Sequence, residues 1–171
     1  MKVVYFGTPE FAVPSLQRLL ESRHEVVLVV SKPDKPTGRH RVVSEPPVVT
    51  AARGTGVAID QPARLKGEDV EARLRDAGAD IAVVVAYGKL IPASLLAVPR
   101  HGFVNLHPSL LPRHRGPSPI QWALVCGDRA TGVTTTTLLV TTHHHGRVAT
   151  RIGIVIFHHH LLILFIHDGG G

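Results

Sequence analysis

The sequence predicts an α/β fold, a mainly parallel sheet with helices on both faces, and three observations carry it. Four runs, Lys2–Phe6, Glu25–Val30, Asp80–Ala86 and Phe103–His107, are rich in β-branched and apolar residues and have strand length. Segments with apolar residues at helical spacing fall between them. Strand and helix alternate along a chain of 171 residues, as crossover connections in a doubly covered parallel sheet require. The length fits one domain with one core.

In chain order, Lys2-Val-Val-Tyr-Phe6 is the first buried strand and ends at Gly7, and Leu16, Leu19 and Leu20 mark the helix that follows. The Gly7 turn has two readings: an approach for a ligand to amides at a helix N-terminus, or a tight turn that needs a small residue. No Gly-x-Gly-x-x-Gly is present, so no dinucleotide site is assigned. Glu25–Val30 is the second strand. Ser31 to Arg41 is then a polar loop with four basic residues, read either as solvated surface or as a flexible loop that meets an anion. Val48–Arg53 is a short helix, Val57–Asp60 a short strand, and Lys66–Ala77 an amphipathic helix with Val70, Leu74 and Ala77 inward, stopped at Gly78. Asp80–Ala86 is the clearest buried strand, and a helix begins at Pro92–Leu96. Phe103–His107 is the next strand, followed by a helix over Pro117–Val125 with Ile120, Ala123 and Leu124 inward and a break at Gly127-Asp128. Gly7, Ser31, Tyr87 and His107 all fall at strand ends. Parallel sheets bind ligands outside the carboxyl ends of their strands, so these positions mark one cleft.

Hydrophobic content of 44% with 19% charged residues describes a soluble globular protein, and the net charge of +6 is compatible with an anionic partner without specifying one. The single Cys126 excludes an internal disulfide and fits a reducing compartment. The start lacks the pattern of a secretion signal. No apolar run approaches the ~20 residues that cross a bilayer, and the longest, Leu161–Ile166, is strand length. The expectation is a cytoplasmic monomer with no membrane association.

The chemistry concentrates after Gly102. Asn105 and His107 stand two apart on a strand, so their side chains leave one face. An amide donor beside an imidazole can hold a carbonyl oxygen and move a proton. The same two residues also suit a hydrogen-bonded structural pair.

The run Asn105-Leu-His-Pro-Ser-Leu-Leu-Pro-Arg-His-Arg-Gly116, with Pro119-Ile-Gln-Trp-Ala123, closely resembles the signature of the folate-dependent formyltransferases. The opening Phe6-Gly-Thr-Pro-Glu-Phe-Ala-Val-Pro-Ser-Leu16 resembles one branch of them, the methionyl-tRNA formyltransferases. The resemblance runs from Met1 to about Thr134. It implies a Rossmann-like domain that moves a formyl group from 10-formyltetrahydrofolate to the amine of initiator methionyl-tRNA, with no metal. It implies Asn105 as oxyanion donor and His107 as proton carrier. Ser109, Leu110, Leu111 and Pro112 match the folate-binding segment, with Tyr87 and Gly88 on the same ligand. Lys35, Arg39 and Arg41 match a tRNA-contacting loop, and Arg113 and Arg115 are read either as further partners for folate glutamate or tRNA phosphate or as solvated surface. Two other readings stand beside this one: a folate-dependent enzyme acting on a nucleotide sugar or small amine, and a non-catalytic folate- or RNA-binding homologue.

Past Thr134 the resemblance stops. The family carries an Asp in a loop that reads Leu-Asp-Thr-Gly or similar, where this chain reads Thr141-Thr-His-His-His-Gly146, so His144 stands at the acid's place. Residues 135–171 are compositionally simple, with two His triplets and a terminal Gly-Gly-Gly. One explanation is a frameshifted or misassigned stretch whose true loop carries Asp, and this is the expectation adopted. The second is an altered homologue. The third is a zinc site built from His143, His145, His158 and His160 on a hairpin. Asp168 is the only acid after Asp128. The branch's second, β-rich tRNA-binding domain is expected to be missing from this chain.

Overall fold

In the computed structural model, residues 1–37, 42–138, 141–142, 148–149 and 163–165 are described. The elements are β1 (Lys2–Gly7), α1 (Val13–Leu20), β2 (Glu25–Val30), β3 (Lys35–Thr37), β4 (Val42–Ser44), α2 (Pro47–Ala52) and β5 (Ala58–Asp60). They continue as α3 (Glu68–Asp76), β6 (Ile81–Val85), α4 (Ala93–Leu96), β7 (Phe103–His107), α5 (Pro119–Val125), β8 (Ala130–Gly132) and β9 (Thr134–Leu138). Three short strands follow, β10 (Thr141–Thr142), β11 (Val148–Ala149) and β12 (Ile163–Phe165).

Six strands form the main sheet in the order β5-β2-β1-β6-β7-β9, parallel except for β9, which runs antiparallel along β7. In chain order these are the third, second, first, fourth, fifth and sixth strands of the sheet, the doubly wound 3-2-1-4-5-6 arrangement. The chain reverses its direction of winding between β1 and β6, which opens a crevice at their carboxyl ends. The expected α/β fold with a Rossmann-like, mainly parallel sheet is therefore the one observed.

Strand alternation divides the core in two. Val4 and Phe6 of β1 point to one face, where Leu28, Val30, Val84 and Phe103 meet Val70 and Leu74 of α3 and Leu95 of α4. Tyr5 points to the other, where Val29 and Val85 meet Val13 and Leu16 of α1 and Val48 of α2. The helix expected over Lys66–Ala77 thus buries Val70 and Leu74, although α3 proper is shorter.

Gly7 settles which of its two readings applies. A Cβ there would lie 2.7 Å from Tyr5 Cε1, 3.1 Å from Ala12 Cβ and 3.2 Å from Val48 Cγ2. The turn needs glycine because packed side chains close over it.

Two local expectations change. The stretch read as a loop from Ser31 to Arg41 contains β3, which pairs antiparallel with β4 through Lys35↔Ser44, Pro36↔Val43 and Thr37↔Val42. Its polarity hid the ladder, because a two-stranded ribbon on the surface needs no apolar face. In α5 the buried residues are Pro119 and Ala123, while Leu124 is 56% exposed. Pro119 and Ala123 are four apart and share one stripe, and Leu124 is turned about 100° from it.

Candidate active site

A cavity of about 580 Å³ opens at the crevice between the carboxyl ends of β1, β6 and β7, within the size range of small-molecule sites. Asn105 and His107 of β7 line it together, as their same-face spacing on a strand requires. One wall is the segment Ala86–Ile91 after β6, and the opposite wall is Gly116–Gln121 at the start of α5. Pro9 and Phe11 close the β1 side. The lining is predominantly apolar around few polar groups, the usual character of a ligand pocket.

His107 is fixed by the loop that follows it. Its Nε2 lies 3.0 Å from the carbonyl oxygen of His114. A carbonyl only accepts, so Nε2 carries the hydrogen and Nδ1 remains the proton-accepting nitrogen. The loop is tied at several points. The Ser109 amide donates to His107 O at 2.8 Å and the Arg113 amide to Leu110 O at 3.0 Å. The Ser109 hydroxyl donates to Arg113 O at 2.8 Å. The Thr134 hydroxyl of β9 donates to Ser109 O at 2.7 Å and accepts from the Leu111 amide at 3.1 Å. Leu111-Pro112 is a cis peptide.

Asp128 holds the far end of this loop. Its Oδ2 is 2.6 Å from His114 Nε2 and its Oδ1 is 2.5 Å from Arg113 Nη2. The hydrogen bond from His114 holds the Asp128 carboxyl below its ordinary range, with the Arg113 charge adding to it against an opposing burial effect.

Among the described residues, three non-glycine ones adopt left-handed backbone: Ala86 (φ 47°), His114 (φ 51°) and Ser118 (φ 59°). Ala86 and Ser118 line the cavity, and His114 supplies the carbonyl that holds His107. Each costs of order 1 kcal/mol that the surrounding packing must offset, and such strain collects at functional sites.

Tyr87 packs edge-on against Phe6 with ring centroids 5.4 Å apart. Burial, with the Asp60 charge, pushes its hydroxyl up to about 12. Thr8 Oγ1 donates to Tyr87 O at 3.1 Å, tying the turn after β1 to the turn after β6. A group of lysines borders the same wall. The Lys32 ammonium lies directly over the Cα of Gly88, and Lys89 Nζ donates to Pro62 O and Ala63 O, both at 2.9 Å. Burial lowers the pKa of Lys89, and the charges of Lys32 and Lys35 lower it further. Burial and then Lys35 do the same to Lys32.

Of the residues singled out from the sequence, Asn105, His107, Tyr87 and Gly88 come together on the cavity wall. Gly7 and Ser31 share the sheet's edge but are buried away from it. Ser109, Leu110, Leu111 and Pro112 do not line the cavity, which reaches their neighbour Pro108, and Ser109 is fully buried. Lys35 stands on the β3–β4 ribbon. Arg39, Arg41, Asp168 and the histidines 143–145, 158 and 160 lie outside the described residues, so the place expected for the acid, His144, does too. Sequence reading missed Lys32, Lys89 and the His114–Asp128 pair. Asp128 was visible only as a helix break, and no periodic signal links it to a loop 14 residues upstream.

The fold and its crevice define a Rossmann-like α/β domain with an amide–imidazole pair at the end of a central strand. The formyl transferase family profile matches residues 1–162. The methionyl-tRNA formyltransferase of Deinococcus radiodurans is 52% identical over 134 residues, covering 78% of this chain and 42% of that protein. The corresponding protein of Thermus thermophilus is 53% identical over 134 residues, covering 78% and 44%. Among solved structures, glycinamide ribonucleotide transformylase 1 from Geobacillus kaustophilus superposes with a TM-score of 0.69 at 22% identity, over 99% of this chain and 85% of that one. The chain belongs to the formyl transferase family. It spans less than half the length of the curated relatives it matches.

Proposed function

We propose that this chain transfers the formyl group of 10-formyltetrahydrofolate to the amino group of initiator methionyl-tRNA, in the cytoplasm and as a monomer. The observation that carries the reading is the pairing of Asn105 and His107 on one cavity wall in a chain that is 52–53% identical over 134 residues to two methionyl-tRNA formyltransferases. In this reading the pterin end of the donor lies against Tyr87 and Gly88, and Ser109–Pro112 shape the turn that holds this wall. Lys35, Arg39 and Arg41 meet the RNA backbone, where basic side chains supply salt-dependent phosphate contacts.

The attacking amine adds to the formyl carbon, and the carbonyl oxygen gathers negative charge. The Asn105 amide donates to that oxygen, a contact whose loss typically costs ~2.7–4 kcal/mol of barrier stabilisation. As the amine becomes positive, His107 takes its proton at Nδ1 and returns it to the folate nitrogen, which leaves with the bonding pair. The His114 carbonyl supports the imidazolium at Nε2–H meanwhile.

The discriminating experiment offers the chain labelled 10-formyltetrahydrofolate with charged initiator tRNA, a nucleotide-sugar amine, or a small amine, beside a His144→Asp version. Formylation of the tRNA amine supports the reading, and preference for either other acceptor replaces it. Donor binding with no transfer by either chain leaves a non-catalytic folate-binding homologue. A large gain in His144→Asp identifies the loop where the acid belongs.

A further inference from the structure

We propose that Asp128 is a positioning residue for His107, acting through the 113–114 backbone; the inference deepens the reading of His107 as proton carrier and rests on it. Asp128 is placed by the end of α5. Gly127, at φ 67°, donates its amide to Leu124 O at 3.0 Å, and the Asp128 amide donates to Ala123 O at 2.9 Å. That glycine cap fixes the carboxylate to a rigid element. The carboxylate then holds two consecutive side chains of the catalytic loop, Arg113 at 2.5 Å and His114 at 2.6 Å. The His114 side chain is 10% exposed and that of Asp128 is 7% exposed, so water competes little for the contact. Between these bonds the His114 backbone sits at φ 51°, a conformation a β-carbon disfavours. Two charge-assisted hydrogen bonds give the loop a reason to stay there. In that conformation the His114 carbonyl lies 3.0 Å from His107 Nε2.

The consequence is a chain of command from a helix end to the imidazole. Without Asp128 the loop relaxes out of the left-handed region, the carbonyl swings away, and His107 loses the acceptor that fixes its ring. A misplaced proton carrier keeps its chemistry and loses its aim.

The test uses the 171-residue chain with Asp128→Asn and Asp128→Ala. In the parent the His107 Nε2–H proton is expected as a slowly exchanging NMR resonance, assigned by its absence in His107→Gln. In Asp128→Ala it is expected to vanish into exchange, with kcat lowered about tenfold to a hundredfold, short of the ~10²–10⁴ a general base supplies in full. The donor Kd stays within about twofold, because the cavity wall at Tyr87 and Gly88 is untouched. Asp128→Asn falls between, since an amide oxygen accepts one of the two bonds, and it supplies the same comparison should Asp128→Ala fail to fold. A folded Asp128 variant that keeps the protected resonance overturns the proposal, whatever its kcat. The resonance is read without substrate, so if it is lost as expected while the parent transfers no formyl to any acceptor, the positioning contact stands and the proposed reaction falls.

Discussion

Gly7→Ala is a clean perturbation because its two readings from sequence lead to different measurements. The added methyl carbon would lie 2.7 Å from Tyr5 Cε1, with Ala12 and Val48 at 3.1 and 3.2 Å behind it. The Tyr5 ring has nowhere to go: it is fully buried, and its hydroxyl donates to Ala12 O at 2.6 Å. Overpacking a core typically costs ~1–3 kcal/mol, and a clash with an anchored ring belongs in the upper half, about 2–3 kcal/mol. For a domain of this size each kcal/mol is worth about 2–4 °C, so the melting temperature should fall by about 4–12 °C. Urea unfolding should show a lower midpoint at unchanged m. Tyr5→Phe releases the ring from Ala12, so adding it to Gly7→Ala should cost less than the sum of the two single changes, by about 0.5–1 kcal/mol. Donor affinity of the folded fraction should not move. If instead Gly7→Ala leaves stability within about 0.5 kcal/mol and abolishes ligand binding, the packing argument is wrong and the turn is a ligand approach.

Three further outcomes follow from the site. If Asn105 is the oxyanion donor proposed above, Asn105→Ala should lower kcat by about 100- to 1000-fold with donor binding retained, since the amide would act on charge that develops only in the transition state; near-normal turnover would remove Asn105 from the mechanism. Replacing Lys35, Arg39 and Arg41 together by Ala should weaken RNA binding and reduce the slope of log K against log salt by up to about 3, or ~0.9 per lost phosphate contact, and an unchanged slope would return the ribbon to ordinary surface. The Asp128 carboxyl is depressed in the folded state, so its contribution to stability is present above the ordinary carboxylate value near 3.9 and is lost as pH falls through the lower folded value. Acid titrations of stability should therefore be shallower in Asp128→Asn below about pH 4, and superimposable curves would show that the carboxylate contributes nothing there.

The strands and the pairing of Asn105 with His107 were legible in the sequence because both are local. Strand periodicity is two residues, so Val4 and Phe6 must oppose Tyr5, and Asn105 must share a face with His107, whatever the rest of the chain does. The same logic gave α3 its inward Val70 and Leu74. It failed where burial is decided from outside the element. Leu124 has the right spacing, but no neighbour among the described residues covers that side of α5, and it is left exposed. The β3 strand Lys35-Pro-Thr37 carries no apolar pattern, and its pairing with β4 was not legible. The Ser109 hydroxyl bonds Arg113 O inside its own turn, a contact the sequence did not signal. The order β5-β2-β1-β6-β7-β9 sets β6 and β7 at the crevice and β2 one strand beyond it, so Tyr87 and His107 reach the cavity and Ser31 does not, while Gly7 is shut off by the side chains packed over it. The bond from His107 to the His114 carbonyl is closed by the loop itself, whereas the bond from His114 to Asp128 joins residues that meet only after α5 folds back on the loop. Bonds made within an irregular loop, or from it to the far end of a helix, leave no period in a sequence, so the chemistry-bearing residues were readable while the groups that aim them were set by tertiary structure.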